Sequence, residues 1–173
     1  TINSYMYGNA MALSNIATMA GDQSLASHYR SKADSVKQLV QQLLWNPRDT
    51  FFETQKQNGQ PANVREAIGF IPWYFNLPAT GYENAWKKLM VEKGFLSPFG
   101  LTTAERSHPE FRTHGCCNCE WDGALWPFAT SQTMTAMANL LNHYDQSVVS
   151  RADYFRLLNL YVESQYYRGR PYI

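Results

Sequence analysis

The sequence has few charged residues, few cysteines and no long apolar run. Charged side chains make up 17% of its 173 residues, against about 25% in typical soluble domains. Fifteen Lys and Arg against 14 Asp and Glu leave a formal charge of +1, so we expect neither nucleic acid nor an anionic membrane as a partner. The longest apolar run, Ala67 to Phe75, spans nine residues, far fewer than the roughly 20 of a membrane-spanning helix. A soluble protein is expected, and its compartment stays open.

Several signature motifs of catalysis and cofactor binding are also absent. The chain has no Gly-x-Ser-x-Gly, no Gly-x-Gly-x-x-Gly, no phosphate-binding Gly-x-x-x-x-Gly-Lys and no His-Glu-x-x-His, so no cofactor is indicated. Its three cysteines, Cys116, Cys117 and Cys119, lie within four residues and lack a second pair. A structural zinc site normally uses two separated pairs of ligands, so the pattern favours small buried side chains over a metal site.

The chain is rich in aromatic residues, which make up 14% of the total, and its apolar residues recur with helical periodicity. The spacing of apolar residues predicts helices at about 5–20, 23–44, 82–92, 127–142 and 148–166, with a shorter one over 64–70 and less than roughly a tenth strand. Gly21 and Asp22 end one helix and begin the next, which predicts an antiparallel helical hairpin. The apolar stripe expected for the first helix consists of Met6, Ala10, Leu13 and Ala17. The fold class predicted is all-α.

A group of aromatic and acidic residues precedes the helix that begins near Pro127. Trp121 and Trp126 flank Asp122 and Gly123 there. Tryptophan faces stack on the apolar faces of sugar rings, and carboxylates accept hydrogen bonds from adjacent hydroxyl groups. The pattern therefore fits a sugar-binding site, but on sequence alone it favours a pair of core tryptophans with an aspartate that caps the helix.

Two further clusters are candidates for the same site. One contains Glu105 and Arg106, within the polar segment from Leu101 to Pro109, and these two residues could equally form a surface ion pair. The other contains Glu66, in the segment Val64-Arg65-Glu66, whose alternative is the exposed first turn of a helix.

Four segments together resemble one family of enzymes. They are Asn3-Ser4-Tyr5-Met6-Tyr7-Gly8-Asn9-Ala10, Arg65-Glu66-Ala67-Ile68-Gly69-Phe70-Ile71-Pro72-Trp73, Gly100-Leu101-Thr102-Thr103-Ala104-Glu105, and Trp121-Asp122-Gly123-Ala124-Leu125-Trp126-Pro127-Phe128-Ala129-Thr130-Ser131. In this order they resemble the six-hairpin α/α-toroid glycosidases, in the branch related to mannosylglycerate hydrolase and glycoside hydrolase family 63. Trehalase is a more distant relative. Many relatives carry proline where this chain has Ala124.

The resemblance implies a ring of six helical hairpins, about three of them in this chain, with the active site at its mouth. Such enzymes are inverting glycosidases that use two carboxylates about 6.5–9.5 Å apart. It places the general acid shortly before Thr1 and the general base just after Ile173. We therefore expect residues 1–173 to be the C-terminal part of one glycosidase catalytic domain, truncated at both ends and without a catalytic residue of its own.

The resemblance also implies a set of substrate-binding residues, namely Trp121, Asp122, Trp126, Glu66, Glu105, Arg106 and Trp73. The expected ligand is an oligosaccharide or small glycoside, and the expected partners are the remaining segments of the ring. Were the chain catalytic by itself, Asp122 and Glu120 would be the fallback candidates. The alternative is a non-catalytic helical domain that binds carbohydrate or another protein.

Overall fold

The computed structural model describes residues 1–114 and 120–171, and it begins with a helical hairpin. Helix α1 spans Ile2–Met19 and helix α2 spans Gln23–Leu43. Gly21 adopts a positive φ of 80°, which lets the chain reverse. The side chain of Asp22 accepts a hydrogen bond from the backbone N–H of Leu25 at 2.9 Å and so caps α2. The predicted hairpin is confirmed.

The face of α1 that is buried differs from the predicted apolar stripe. Ala10 and Ala17 are buried, but Met6 and Leu13 are 53% and 42% exposed. The buried residues of α1 are mostly small: Ser4, Tyr7, Ala10, Ser14 and Ala17. Small side chains let two helices approach closely, and the Ser14 hydroxyl donates to the carbonyl oxygen of Ala26 on α2 at 2.9 Å. The larger Met6 and Leu13 stay partly exposed and line an open groove beside Tyr29 and Val36 of α2.

Three short antiparallel hairpins connect the helical parts. They pair β1 (Trp45–Asn46) with β2 (Phe51–Phe52), β3 (Leu96–Ser97) with β4 (Gly100–Leu101), and β5 (Tyr166–Tyr167) with β6 (Arg170–Pro171). Each strand has two residues, so the low predicted strand content is confirmed for the described ranges.

The middle of the chain holds short helical turns where longer helices were predicted. The helix predicted at 64–70 is wrong, since the backbone is extended at Glu66 and only a 3-10 turn over Ala67–Phe70 follows. Helix α3 (Ile71–Tyr74) then carries Pro72 in its first turn, where proline needs no N–H partner. The helix predicted at 82–92 is a 3-10 stretch, Glu83–Lys88. It ends where the N–H of Phe95 donates to the Lys88 carbonyl.

Two further long helices close the chain. Helix α4 spans Pro127–His143 and starts with proline, as predicted. Helix α5 spans Arg151–Glu163, three residues shorter at each end than predicted. A capping box between Ser150 and Asp153 sets its start. Of the three expected hairpins, α1–α2 and α4–α5 are long helix pairs, and the short turns of the middle segment stand between them.

An aromatic core lies between the middle segment and α4. Five aromatic side chains are fully buried there, namely Phe51, Phe70, Trp73, Trp86 and Phe95. They contact one another in edge-to-face, tilted and stacked pairs, at centroid distances such as 4.6 Å for Phe70 and Trp86. This core accounts for much of the aromatic content and fixes the loops that lead to the site. Among the helices of residues 1–114 and 120–171, none has both the length and the apolarity to cross a membrane.

Candidate functional site

A cavity of about 470 Å³ collects several of the residues predicted for the site. It lies where three loops meet, over residues 64–67, 102–105 and 120–126. Its polar and aromatic lining consists of Glu66, His108, Glu110, Phe111, Arg112, Glu120, Trp121 and Asp122, of which the four from 108 to 112 lie outside these three loops. The structure therefore brings Glu66 and the tryptophan-aspartate motif together, although 54 positions separate Glu66 from Glu120 in the chain.

Backbone pairing holds the first two of these loops side by side. Glu66 forms an antiparallel bridge with Ala104. The N–H of Ala67 donates to the Thr103 carbonyl at 2.7 Å, and the N–H of Glu105 donates to the Arg65 carbonyl at 2.9 Å. This extended pairing explains why residues 64–66 are not a helical turn.

The buried Thr103 joins the third loop to this pair. Its hydroxyl donates to the carbonyl oxygen of Ala124 at 2.8 Å and accepts from the N–H of Gly123 at 3.1 Å. Its own N–H donates to the same Ala124 carbonyl at 3.2 Å. One side chain thus satisfies two polar groups of the loop that carries both tryptophans.

Trp121 and Trp126 stack on one another beside the cavity. Their ring centroids are 5.7 Å apart and their planes differ by 6°. The indole Nε1–H of Trp126 donates to the Glu120 carbonyl at 2.6 Å, which fixes its orientation. Both rings are half-buried, and Asp122 does not cap α4. The interpretation as core tryptophans with a capping aspartate is therefore wrong.

Arg112 connects the acidic residues Glu120 and Asp122 to a segment that precedes them in the chain. Its guanidinium pairs with Asp122 through Nε and lies 3.5 Å from a carboxylate oxygen of Glu120. Its backbone N–H donates to the Asp122 carbonyl at 3.1 Å. The two segments approach so closely that a Cβ at Gly123 would lie 2.1 Å from the Arg112 carbonyl oxygen, so only glycine fits there.

Glu105 and Arg106 do not line the cavity and do not pair with each other. Glu105 is buried and lies 2.5 Å from Nη1 of Arg65 and 3.8 Å from Nζ of Lys88. Arg106 donates from Nη1 to the carbonyl oxygens of Leu96 and Glu92, each at 2.9 Å. The surface ion pair considered from sequence is therefore wrong. Glu105 and Arg106 instead stabilise the neighbouring loops, Glu105 through Arg65 and Lys88 and Arg106 through backbone carbonyl oxygens.

Trp73 is likewise not at the cavity. Its side chain is fully buried in the aromatic core, against Phe52 and Trp86. The assignment of Trp73 to the substrate site is therefore corrected to a core position. The backbone carbonyls of Trp73 and Tyr74 accept hydrogen bonds from the Asn139 side chain at 3.1 and 2.8 Å, which join α3 to α4.

Sequence reasoning missed the roles of Arg112, Thr103 and Glu110. All three lie in the long aperiodic segment from Leu96 to Glu120, where spacing carries no information about partners. The only available signal was the length of that segment, since loops of more than about 12–15 residues in compact domains are usually functional. Cys116, Cys117 and Cys119 lie outside the described residues. Within the described ranges, no group of three or more metal-binding side chains occurs.

Glu53, next in the chain to a residue that contacts Glu66, carries a buried carboxylate. Thr54 donates its hydroxyl to Oε2 of Glu66 at 3.0 Å, and the neighbouring Glu53 is 5% exposed. Burial raises the pKa of the Glu53 carboxyl, and the adjacent carboxylate of Asp49 raises this pKa further, while the hydrogen bond from Asn46 opposes both. Glu53 lines a second cavity of about 400 Å³ at the start of α1.

Removing the Thr103 hydroxyl should loosen the tryptophan loop. We expect Thr103→Val to lower the free energy of unfolding by about 1–3 kcal/mol, because it leaves the buried Gly123 N–H without its partner. Urea unfolding followed by tryptophan fluorescence measures this change. Thr103→Ser keeps the hydroxyl group and should therefore lower the free energy of unfolding by clearly less than Thr103→Val. Equal losses in the two variants would mean that the methyl group, and not the hydrogen bonds, matters.

The helical architecture and this site define a glycoside hydrolase-like domain of the α/α-toroid class. Over residues 1–173 the chain matches the family model of the mannosylglycerate hydrolase MGH1-like glycoside hydrolase domain, and it belongs to that family. Its fold is similar to that of the glycoside hydrolase family 63 mannosylglycerate hydrolase from Thermus thermophilus, solved in complex with glucose. The TM-score is 0.66 with 15% identity over 92% of this chain and 35% of that one.

Two other comparisons bear on the same class. A solved structure described as a sialidase matches with 62% identity and a TM-score of 0.96, over all of this chain and 16% of that one. The periplasmic trehalase of Salmonella paratyphi B is 27% identical over 104 residues, which is 59% of this chain and 18% of the trehalase. The chain thus spans about a quarter or less of the curated relatives that it matches.

Proposed function

We propose that this chain supplies the sugar-binding half of the cleft of an inverting glycoside hydrolase. The observation that carries the proposal is the cavity of about 470 Å³, which is lined by Trp121 and by the carboxylates of Glu66 and Asp122, with Trp126 stacked on Trp121 beside it. An aromatic face and adjacent hydrogen-bond acceptors are the two features that sugar recognition needs. Membership of a glycoside hydrolase family supports the same class of ligand, an oligosaccharide or small glycoside.

In this proposal the residues have different roles. Trp121 packs against a sugar ring, and Trp126 supports it from behind. Glu66 and Asp122 accept hydrogen bonds from sugar hydroxyl groups. Glu120 and Asp122 are not the catalytic pair, because a general acid must reach the glycosidic oxygen, whereas Arg112 occupies oxygens of both carboxylates. The general acid and base come from segments of the parent protein outside residues 1–173.

The exposed apolar face of the first hairpin supports the presence of those further segments. Ile2, Ile16 and Met19 of α1 are 76%, 61% and 88% exposed, and Leu39 and Leu43 of α2 are each more than half exposed. Exposed apolar patches of this kind mark surfaces that pack against other chain. The proposed occupant is the neighbouring helical hairpin of the same ring.

The proposal is tested with the full-length parent and with residues 1–173 alone. We expect the parent to hydrolyse aryl glycosides or oligosaccharides and to release the product with inverted anomeric configuration, observed by NMR early in the reaction. Residues 1–173 alone should release no product. Hydrolysis by this chain alone would contradict the proposed division of roles. A parent that binds sugar without hydrolysing it would favour a non-catalytic carbohydrate-binding domain.

A further inference from the structure

We infer that Arg112 is a positioning residue of the sugar site, which holds the ring of Trp121 in the orientation that lines the cavity. It acts through the two acidic residues on either side of Trp121 in the chain, Glu120 and Asp122. This role rests on the proposed function, because it concerns the binding of a sugar to the same cavity.

The guanidinium group of Arg112 reaches both neighbours of Trp121. Its Nε pairs with Oδ2 of Asp122, and its Nη2 lies 3.5 Å from Oε1 of Glu120. The backbone N–H of Arg112 also donates to the Asp122 carbonyl oxygen at 3.1 Å. Because the backbone is continuous, fixing the residues before and after Trp121 restricts the direction of its side chain. One arginine therefore holds this tryptophan from both sides.

Glu120 extends this arrangement to the second tryptophan. Its carbonyl oxygen accepts the indole N–H of Trp126 at 2.6 Å, and the Trp126 ring lies parallel to that of Trp121. A shift of Glu120 would displace the acceptor that orients Trp126. The position of Glu120, and with it the stacked pair, therefore depends on Arg112.

The carboxylate of Asp122 depends on Arg112 for its orientation. Its Oδ2 pairs with the guanidinium, whereas its Oδ1 is buried and has no hydrogen-bond partner within the described ranges. Without the arginine, the carboxylate would keep one enclosed oxygen and lose the cation that compensates its burial. An enclosed, unpaired carboxylate is unfavourable, so the group would turn toward solvent and carry the adjacent Trp121 with it.

The next part of the same loop is anchored independently of Arg112. The Thr103 hydroxyl accepts from the Gly123 N–H at 3.1 Å and donates to the Ala124 carbonyl at 2.8 Å. The side chains of Arg112 and Asp122 are 49% and 38% exposed, and ion pairs of such exposure contribute little to stability. Loss of the arginine should therefore disturb the geometry of the site much more than the stability of the fold.

The experiment measures steady-state kinetics and thermal unfolding of Arg112→Ala in the full-length parent. The probe is the glycoside that the parent hydrolyses fastest in a panel of nitrophenyl glycosides and oligosaccharides. We expect KM to rise by about tenfold or more and kcat to change by less than about threefold, because a displaced aromatic contact weakens binding and leaves the reacting groups in place. The Tm should fall by no more than about 2–4 °C.

Rescue separates positioning by the guanidinium from a general loss of structure. Guanidinium chloride at about 20 mM, far below denaturing concentrations, can enter the space left in Arg112→Ala and pair with both carboxylates, so it should lower the raised KM several-fold. Sodium chloride at the same concentration should not. Arg112→Lys keeps a cation but not the planar fork, so its KM should lie between those of the parent and Arg112→Ala.

The matched control is Arg30→Ala. Arg30 forms an exposed pair with Asp34 on α2, at 3.5 Å, and does not line the cavity. Its replacement should leave KM unchanged, with or without guanidinium.

Three results would overturn the inference. One is an unchanged KM in Arg112→Ala. Another is an equally raised KM in the alanine and lysine variants that guanidinium does not lower, together with a large fall in Tm, since this indicates a structural role. The third is a lower kcat at constant KM, which would place Arg112 in the chemical step. Failure of the proposed function has a different signature: the parent itself neither binds nor hydrolyses any sugar, and the role of Arg112 then fails with it.

Discussion

Replacing Arg65 by methionine is expected to lower the free energy of unfolding by about 3–5 kcal/mol, because it leaves a buried carboxylate without its partner. The side chain of Glu105 is only 7% exposed and lies 2.5 Å from Nη1 of Arg65. Lys88, at 3.8 Å, stays within reach of Glu105 and compensates in part, which favours the lower end of this range. Arg65 also donates from Nε to the Asp49 carbonyl at 3.1 Å.

Urea unfolding followed by far-ultraviolet circular dichroism measures the effect. The matched control is Arg48→Met, since Arg48 is an exposed arginine whose guanidinium bonds to the neutral side chain of Asn63, and its loss should cost less than about 1 kcal/mol. Arg65→Lys keeps the charge but loses the separate guanidinium nitrogens that contact Asp49 and Glu105. We therefore expect its loss of unfolding free energy to lie between those of Arg65→Met and Arg48→Met. Similar values for Arg65→Met and Arg48→Met would show that Glu105 does not depend on this ion pair.

Trp121→Ala in the full-length parent should reduce kcat/KM for its glycoside by about thirtyfold or more, since a central aromatic contact typically contributes about 2 kcal/mol to binding. The loss follows from removal of the ring that faces the cavity, and it also leaves Trp126 without its stacking partner. Steady-state kinetics on the parent and on the variant measure the change.

Two controls separate the contact with sugar from a general loss of structure. Trp121→Phe keeps an aromatic face and should retain more of the activity than alanine. Phe155→Ala removes an aromatic side chain that is 63% exposed on α5 and does not line the cavity. It should leave kcat/KM unchanged. If Trp121→Ala were as active as the parent, the stacked pair would not be part of the sugar site.

The helices that sequence predicts well are those with clear end signals. Gly21 and Asp22 mark the turn between α1 and α2, and Pro127 marks the start of α4. These signals act within a few residues, so they are visible in sequence. The prediction of the buried face of α1 was wrong, because the apolar stripe of a helix shows that it packs but does not show against which neighbour. Ala10 and Ala17 are buried here, whereas Met6 and Leu13 stay partly exposed beside α2.

The middle segment shows where local patterns are insufficient. Residues 64–66 read as a helical turn, but pairing with residues 103–105 holds them extended. This long-range pairing outweighs the weak helical preference of three residues. The family resemblance implies a place in the cleft for Trp73, which ends the segment that begins at Arg65. The structure instead buries it in the aromatic core, against Phe52 and Trp86.

For the site, sequence indicated the tryptophan-aspartate motif and Glu66 as candidates, since these residue types in loops suit sugar binding. It did not distinguish Glu66, which lines the cavity, from Glu105, which is buried behind it. The two residues carry the same carboxylate group. What distinguishes them in the structure is Arg65, whose guanidinium pairs with Glu105. Neither Arg65 nor Glu105 lines the cavity, whereas Glu66 does.

The sequence by itself thus determined the helical class, the turn between α1 and α2, the start of α4 and the membership of a glycoside hydrolase family, since each depends on local signals or on ordered motifs. The tertiary structure alone decided which carboxylates face the cavity and which cations are already paired. The physical reason is distance along the chain. The contacts that shape the site join residues 40 positions apart, as in Arg65 and Glu105, or 21 apart, as in Thr103 and Ala124, and no local pattern specifies such partners.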